Sequence, residues 1–272
     1  MAELKHPLVD STPKAAPGPA SPGLATPGHK SPSGQKALPL HHEIAETLIH
    51  EILTGRYQPG DRLPSERDLA ARFQANRGSV REAVKKLEQI GLVNVQPGGA
   101  RILPVEESSL EVIGHLFTLK DIPDPALVDQ VLTVVASLMR LAVESAVHEA
   151  SDTDINELRN IVAELLQPGI DQEMRLAARM ALGHKFLRSS NNLPLMLIAR
   201  SLRIQFVEHL AGFNRQFNVR KAVHRVKLEQ LDQALLQRDA ETASRCMREI
   251  FESDKANLLA FLRTANTLDS SS

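Results

Sequence analysis

The sequence predicts a mainly α protein: an N-terminal winged helix-turn-helix unit followed by an all-α antiparallel bundle. Three observations predict it. Leu63 to Pro104 reads as helix, turn, helix and a tight two-stranded hairpin. Beyond Pro104 the apolar residues recur at helical spacing. The chain is rich in leucine and alanine, with one Tyr and no Trp, which favours helices over sheets.

Taken in order, residues 1–39 are a regime of their own. They hold eight of the sixteen prolines. Such a segment cannot bury enough apolar surface to offset its ordering entropy, so a disordered tail is expected. Its lysines, Lys5, Lys14, Lys30 and Lys36, offer at most a screened brush against DNA phosphate. His42–Leu53 forms a first helix with Ile44, Leu48, Ile49 and Ile52 on one face. Gly55 ends it, and Pro59-Gly60 turns the chain. Pro64-Ser65-Glu66-Arg67 is a helix start, with acid near the positive end of the helix dipole. Leu69, Ala70 and Phe73 keep helical spacing until Gln74-Ala75-Asn76 breaks it.

A second helix begins around Arg77 and buries a stripe of Val80, Ala83, Val84 and Leu87. Gly91 is placed for a left-handed C-cap. Val93-Asn94-Val95 alternates like a strand, Pro97-Gly98-Gly99 is a turn, and Arg101-Ile102-Leu103 returns. Opposite the apolar stripe, Asn76, Arg77, Ser79 and Arg81 gather at the helix start. A recognition helix presents its first turns to base edges in the major groove. Arg reads guanine N7 and O6 with two bonds, and Ser bonds bases or phosphate. Taken singly, each Arg reads as a solvated charge; the hairpin and the preceding helix turn the reading towards DNA.

Three runs carry a family resemblance. They are Gly55-Arg56-Tyr57-Gln58-Pro59-Gly60-Asp61-Arg62-Leu63-Pro64-Ser65-Glu66-Arg67-Asp68-Leu69-Ala70, Asn76-Arg77-Gly78-Ser79-Val80-Arg81-Glu82-Ala83, and Leu87-Glu88-Gln89-Ile90-Gly91-Leu92-Val93. The segment closely resembles the DNA-binding domain of the GntR family of bacterial transcription regulators. The resemblance implies DNA contacts at Arg67, Arg77, Ser79 and Arg81, and Asn76 and Gly78 of the same motif are expected among the DNA-binding residues. The wing tip falls on Pro97-Gly98-Gly99. Pro97 stands where relatives often carry a polar or basic residue, so the approach there is through the backbone at Gly98.

The charge balance does not announce a nucleic-acid binder. The net charge is −1. Residues 40–104 hold 9 Lys/Arg against 8 Asp/Glu, and the chain beyond holds 19 against 23, so the DNA reading rests on one local basic face. The lone Cys246 has no partner for a disulfide or zinc cluster and reads as a buried thiol. No uninterrupted apolar run long enough for a membrane span and no signal peptide is apparent, so a cytoplasmic protein without membrane contact is expected.

Past Pro104, helices are expected near 108–119, 125–149, 152–167, 172–190, 193–213, 217–237 and 239–264, joined by short links. Gly183-His184-Lys185-Phe186-Leu187-Arg188-Ser189-Ser190-Asn191-Asn192-Leu193-Pro194 and Leu231-Asp232-Gln233-Ala234-Leu235-Leu236-Gln237-Arg238-Asp239-Ala240-Glu241-Thr242-Ala243-Ser244 resemble the C-terminal effector domain of the FadR branch of that family. The resemblance implies a homodimer on a palindromic operator. Many relatives bind a divalent metal through one Asp and three His. Those positions read Met180, His184, Leu228 and Ile250 here, so no metal site and no cofactor are expected. His224, one turn before Leu228, is a displaced donor or an ordinary buried imidazole. Relatives that sense small carboxylates often place an Arg where this chain has Val131, and the next inward position is Val135. With Met180, His184, His224, Leu228 and Ile250, these valines are expected to line either a solid core or an apolar pocket. An effector, if sensed, is then expected to be apolar rather than a dicarboxylate.

The expected organisation is a tail over 1–39, the winged unit over 40–104, an effector-binding and dimerisation domain over 105–265, and a second tail over 266–272. An enzyme is not expected: no phosphate-cradling glycine loop, nucleophile elbow or metal cluster is present. Two readings of the helical region stay open: an effector domain, or a dimerisation domain that has lost sensing.

Overall fold

The computed structural model describes residues 39–214 and 221–269. Residues 1–38 of the expected tail over 1–39 and the last three residues of the second tail lie outside the described residues. Ten α-helices and one two-stranded sheet make up the described residues.

The winged unit opens with α1 (Leu40–Leu53), α2 (Glu66–Arg72) and α3 (Arg77–Gln89). Ser65 caps α2 by accepting the Asp68 N–H, and Asn76 caps α3 by accepting the Ser79 N–H. On α3 the buried residues are Val80, Ala83, Val84 and Leu87, the stripe the sequence predicts. They meet Ile44, Leu48 and Ile49 of α1 and Leu69 of α2 in one core. Glu51 ties the helices together: its carboxylate takes both Arg56 and Arg72, and the Arg72 hydrogen bond holds it below the usual carboxylate range. Gly91 follows α3 at φ +81. A Cβ there would meet the Ser108 backbone at 3.0 Å, so glycine is required twice over.

The wing is an antiparallel pair, β1 (Val93–Gln96) and β2 (Gly99–Ile102), in the register Val93 to Ile102 and Gln96 to Gly99. Residues 60–63 run along the outer edge of β2. Gly60 and Leu63 donate to Ile102 and Ala100, and Ile102 donates back to Asp61. This third, short pairing brings Arg62 opposite Arg101.

The link to the bundle differs from expectation. Instead of a helix from 108 to 119, a 3-10 turn spans Val105–Glu107 and α4 spans only Val112–Phe117. The Ser109 N–H donates to Ile90 at 2.9 Å and the Ser108 hydroxyl to Gly91 at 3.2 Å. These tertiary bonds hold the chain against the end of α3 and delay the helix.

The bundle contains α5 (Pro125–Glu149), α6 (Asp152–Leu166), α7 (Gln172–Ser189), α8 (Leu193–Asn214), α9 (Lys221–Gln237) and α10 (Ala240–Asp269). Asp124, Ser151 and Asp171 cap α5, α6 and α7. By length and composition alone α5 is apolar enough to cross a membrane, although Asp129 and Arg140 interrupt its apolar run. In the fold it packs against α7, α8 and α10. The expected tail also begins too early, because α10 continues to Asp269. The Asn266 amide donates to Leu262 of its own helix, and no glycine or proline stops the turn.

The bundle core is split. One cluster joins the later half of α5 to α6, α7, α9 and the early half of α10, around Val143, Leu158, Phe186 and Leu231. The other joins Phe117 of α4, Val128 and Leu132 of α5, Phe206 of α8 and Leu262 of α10. On α5 no residue between Leu132 and Ala142 is fully buried. Cys246 is buried in the first cluster, and burial pushes its thiol up.

Candidate DNA-binding face and bundle cavity

The outer face of α3 follows from its inner one. With four apolar side chains turned to the core, Arg77 and Arg81 project outward and are exposed, while Ser79 is half-buried. Asn76, expected at this face, spends its side-chain oxygen on the Ser79 N–H at 2.8 Å. A Cβ on Gly78 would come within 3.1 Å of that same oxygen, so this glycine keeps the cap intact. Arg81 is engaged by Glu66 of α2, with Nε at 3.1 Å and Nη2 at 3.0 Å from the two carboxylate oxygens. That pairing lowers the Glu66 carboxyl. The Arg67 side chain is 79% exposed, with Asp68 at 3.6 Å.

The wing tip holds a cation that sequence reasoning missed. Gly98 and Gly99 sit at φ +105 and +127, conformations that a side chain rarely adopts. The Arg62 guanidinium lies directly against this turn: a Cβ on Gly99 would be 2.8 Å from its Nε and one on Gly98 3.8 Å from its Nη2. Arg101 beside it donates to the Gly60 carbonyl at 3.0 Å. Arg62 is 35 residues before Pro97 in sequence, and only the edge pairing of residues 60–63 brings it there. The signal available in advance was the glycine pair, which implies a close neighbour without naming it.

The second feature is a cavity of about 970 Å³ between the two bundle clusters. That is the size of a small-molecule site. Of the residues expected at a pocket, Val135, Met180, His184, His224, Leu228 and Ile250 all line it. Val131 does not. It is buried in the second cluster, which also holds Phe117 and Phe206. Met180 and His184 are exposed and lie at the rim, whereas Leu228 and Ile250 are buried.

The wall is not purely apolar. His224 of α9 places Nε2 3.3 Å from Oδ1 of Asp254 on α10, and Arg179 of α7 forms an ion pair with the same carboxylate. Burial, with Arg179 and Arg175 nearby, pushes the His224 imidazole down to about 4. It is therefore neutral at pH 7. Burial and the neighbouring Arg175 bring Arg179 down to about 10. Relative to the aligned metal positions, this group is shifted by one helical turn: His224 lies four residues before Leu228 and Asp254 four residues after Ile250. Among the described residues no three His, Cys, Asp or Glu side chains converge as a metal site. The arginines and Asp254 escaped the sequence reading because each, alone, resembles a solvated helix charge.

Comparison with known proteins adds to this geometry. Residues 40–101 match the family described as bacterial regulatory proteins, gntR family, and residues 130–253 match the FCD domain. An uncharacterized HTH-type transcriptional regulator of Mycobacterium tuberculosis is 31% identical over 170 residues, 62% of this chain and 67% of that protein. The fatty acid metabolism regulator protein of Edwardsiella ictaluri is 29% identical over 109 residues, 39% of this chain and 46% of its own length. The solved structure of Lar, described as controlling expression of the Listeria monocytogenes agr system, shares the fold. Its TM-score is 0.51 at 19% identity, over 82% of this chain and 98% of that one.

Proposed function

The chain belongs to the GntR family of bacterial regulatory proteins and is a DNA-binding transcription regulator, and from that premise we propose how it reads DNA and what its bundle does. The N-terminal turn of α3 enters the major groove. Arg77 and Arg81 meet base edges there, and the Ser79 hydroxyl meets base or phosphate. Arg67, at the start of α2, meets phosphate and sets register. Gly78 and Asn76 act through the cap that shapes this turn. Arg62 sits against the Gly98-Gly99 turn and supplies the wing with the cation that Pro97 lacks. The observation that carries the reading is the sorting of α3, whose one face is wholly buried while its arginines stand exposed at the end where a groove would be entered.

One recognition helix reads only a few base pairs, so two copies act together on a palindromic operator. The helical region, residues 105–265, joins the copies and holds a small-molecule effector in its cavity. Occupancy shifts the spacing of the two recognition helices. This is a binding protein of the cytoplasm rather than an enzyme, and needs no resident metal or cofactor. The apolar residues at the aligned metal positions favour a second reading, a bundle that only dimerises; a cavity of about 970 Å³ favours sensing.

Selection from a pool of random duplexes tests the DNA reading. The expected outcome is an enriched motif of two inverted half-sites, protected together in a footprint. Enrichment of no motif would refute it. Thermal denaturation against metabolite pools tests the sensing reading: an effector raises the midpoint and changes operator affinity, whereas a pure dimeriser responds to none.

A further inference from the structure

The arginines of the winged unit divide by their partners. Arg56 and Arg72 share Glu51, Arg67 lies 3.6 Å from Asp68, and Arg81 is held by Glu66. Arg62 and Arg101 have no such match: among the described residues neither has a carboxylate at ion-pair distance. Both are exposed. Arg62 stands directly opposite Arg101 in the edge pairing, and Arg101 stands opposite Asn94 in the hairpin. Opposite residues of an antiparallel sheet share a face, so Arg62, Arg101 and Asn94 form one row across the wing. The other face carries the buried Val93, Ala100 and Ile102. Along the row the two guanidiniums lean apart. Arg62 lies over the Gly98-Gly99 turn at the tip, and Arg101 reaches back to the Gly60 carbonyl at 3.0 Å.

We propose that Arg62 and Arg101 form a two-phosphate site on the outer face of the wing sheet, and that the DNA backbone supplies the negative charge this face lacks. The proposal rests on the DNA-binding reading above and adds a contact behind the wing tip, made by the sheet face and by Arg101. Like charges placed directly opposite on a sheet destabilise it, and neither guanidinium is neutralised within the chain. A polyanion turns that repulsion into attraction and releases its own counterions. The planar guanidinium matches phosphate oxygens, and its charge stays on at any pH at which the protein folds. Because the two side chains lean apart, they meet two phosphates rather than forking onto one. Asn94, the third member of the row, adds a neutral donor beside them. Phosphates repeat whatever the bases, so the site contributes affinity and register and leaves the bases read by α3 unchanged.

Substitutions at Arg101 separate its charge from its bond to Gly60. Arg101→Gln keeps a donor for the Gly60 carbonyl and removes the charge, whereas Arg101→Lys keeps both. The full chain is titrated with its selected operator and with a random duplex of equal length, by gel shift between about 50 and 200 mM salt. Arg101→Gln is expected to lower the salt slope by about one unit on both duplexes, so its loss of affinity is about three- to fourfold larger at the low end of that range than at the high end. Arg101→Lys is expected to restore the slope. Arg62→Gln combined with Arg101→Gln is expected to lower it by about two units, with the same motif still selected from random duplexes. Both side chains are exposed, so the variants are expected to keep the native thermal midpoint. An unchanged slope for Arg101→Gln, with operator binding intact, overturns the proposal and leaves the DNA-binding reading standing. So does an equal loss in Arg101→Lys and Arg101→Gln, which would reduce Arg101 to a wing brace, or a double variant that loses only one unit. A native chain that binds no duplex removes the DNA-binding reading and this site with it.

Discussion

The winged unit and the bundle place their charges on opposite sides of their walls. In the winged unit one core fills the space between α1, α2 and α3, and the arginines of α2 and α3 stand outside it. In the bundle the core is divided into two clusters, and Arg175, Arg179 and Asp254 line the space between them. A solid core holds a surface fixed for a rigid, repetitive target such as a duplex. A divided one leaves room for a ligand at the expense of packing, since a void forfeits contacts along its whole lining. The two regions therefore answer differently to the same kind of substitution.

The largest expected effect is in the solid core. Leu87→Ala empties a fully buried position of α3 and is expected to cost about 2–5 kcal/mol in urea denaturation, with operator binding lost in parallel. Met180→Ala, at the rim of the cavity and 39% exposed, is expected to cost less than about 1 kcal/mol. Equal costs would mean that the cavity closes in solution and the bundle is as solid as the winged unit.

Next in size are the readers of DNA. Arg77→Ala is expected to weaken operator binding by about 1–3 kcal/mol and to relax discrimination at one base pair. An unchanged gel shift would place Arg77 among the solvated charges. Arg81 should behave differently because Glu66 holds it in the free protein. Glu66→Gln releases the guanidinium and removes a carboxylate from the proposed DNA-binding face. Exposed pairs of this kind are weak, so operator affinity is expected to rise only about two- to fivefold. A fall in affinity would show that Glu66 aims Arg81 rather than restraining it.

The contrast between the regions also explains what the sequence makes legible. The caps at Ser65 and Asn76, the stripe Val80, Ala83, Val84 and Leu87 and the glycines of the wing lie within one short run, so local rules find them. The helices of the bundle are equally local and are found nearly to the residue, except where Ser108 and Ser109 bond back to α3 and where α10 runs on; the expected helix start at 217 lies outside the described residues. The cavity is built from α5, α7, α8, α9 and α10, and no periodicity tells an arginine facing inward from one facing water. Alignment to relatives brings Met180, His184, Leu228 and Ile250 to the cavity but misplaces Val131. It passes over Arg179, one residue before Met180, and Asp254, one helical turn beyond Ile250.

The smallest effects belong to side chains proposed to meet phosphate, and they separate the wing from α2. Arg67→Ala is expected to weaken all duplexes alike and to lower the salt slope of binding by about one unit, as loss of one phosphate contact requires. Arg62→Ala is expected to do the same, since its guanidinium lies against the Gly98-Gly99 turn of the proposed wing contact. The two differ in their dependence on wing conformation. Gly99→Ala puts a Cβ 2.8 Å from the Arg62 Nε and strains a backbone at φ +127, so it should displace Arg62 while leaving Arg67 untouched. Gly99→Ala combined with Arg62→Ala should then lower the salt slope no further than Gly99→Ala does. Gly99→Ala combined with Arg67→Ala should lower it by about one unit more. Full additivity of Gly99→Ala and Arg62→Ala would mean that Arg62 reaches DNA independently of the wing, and that the glycines serve only the turn.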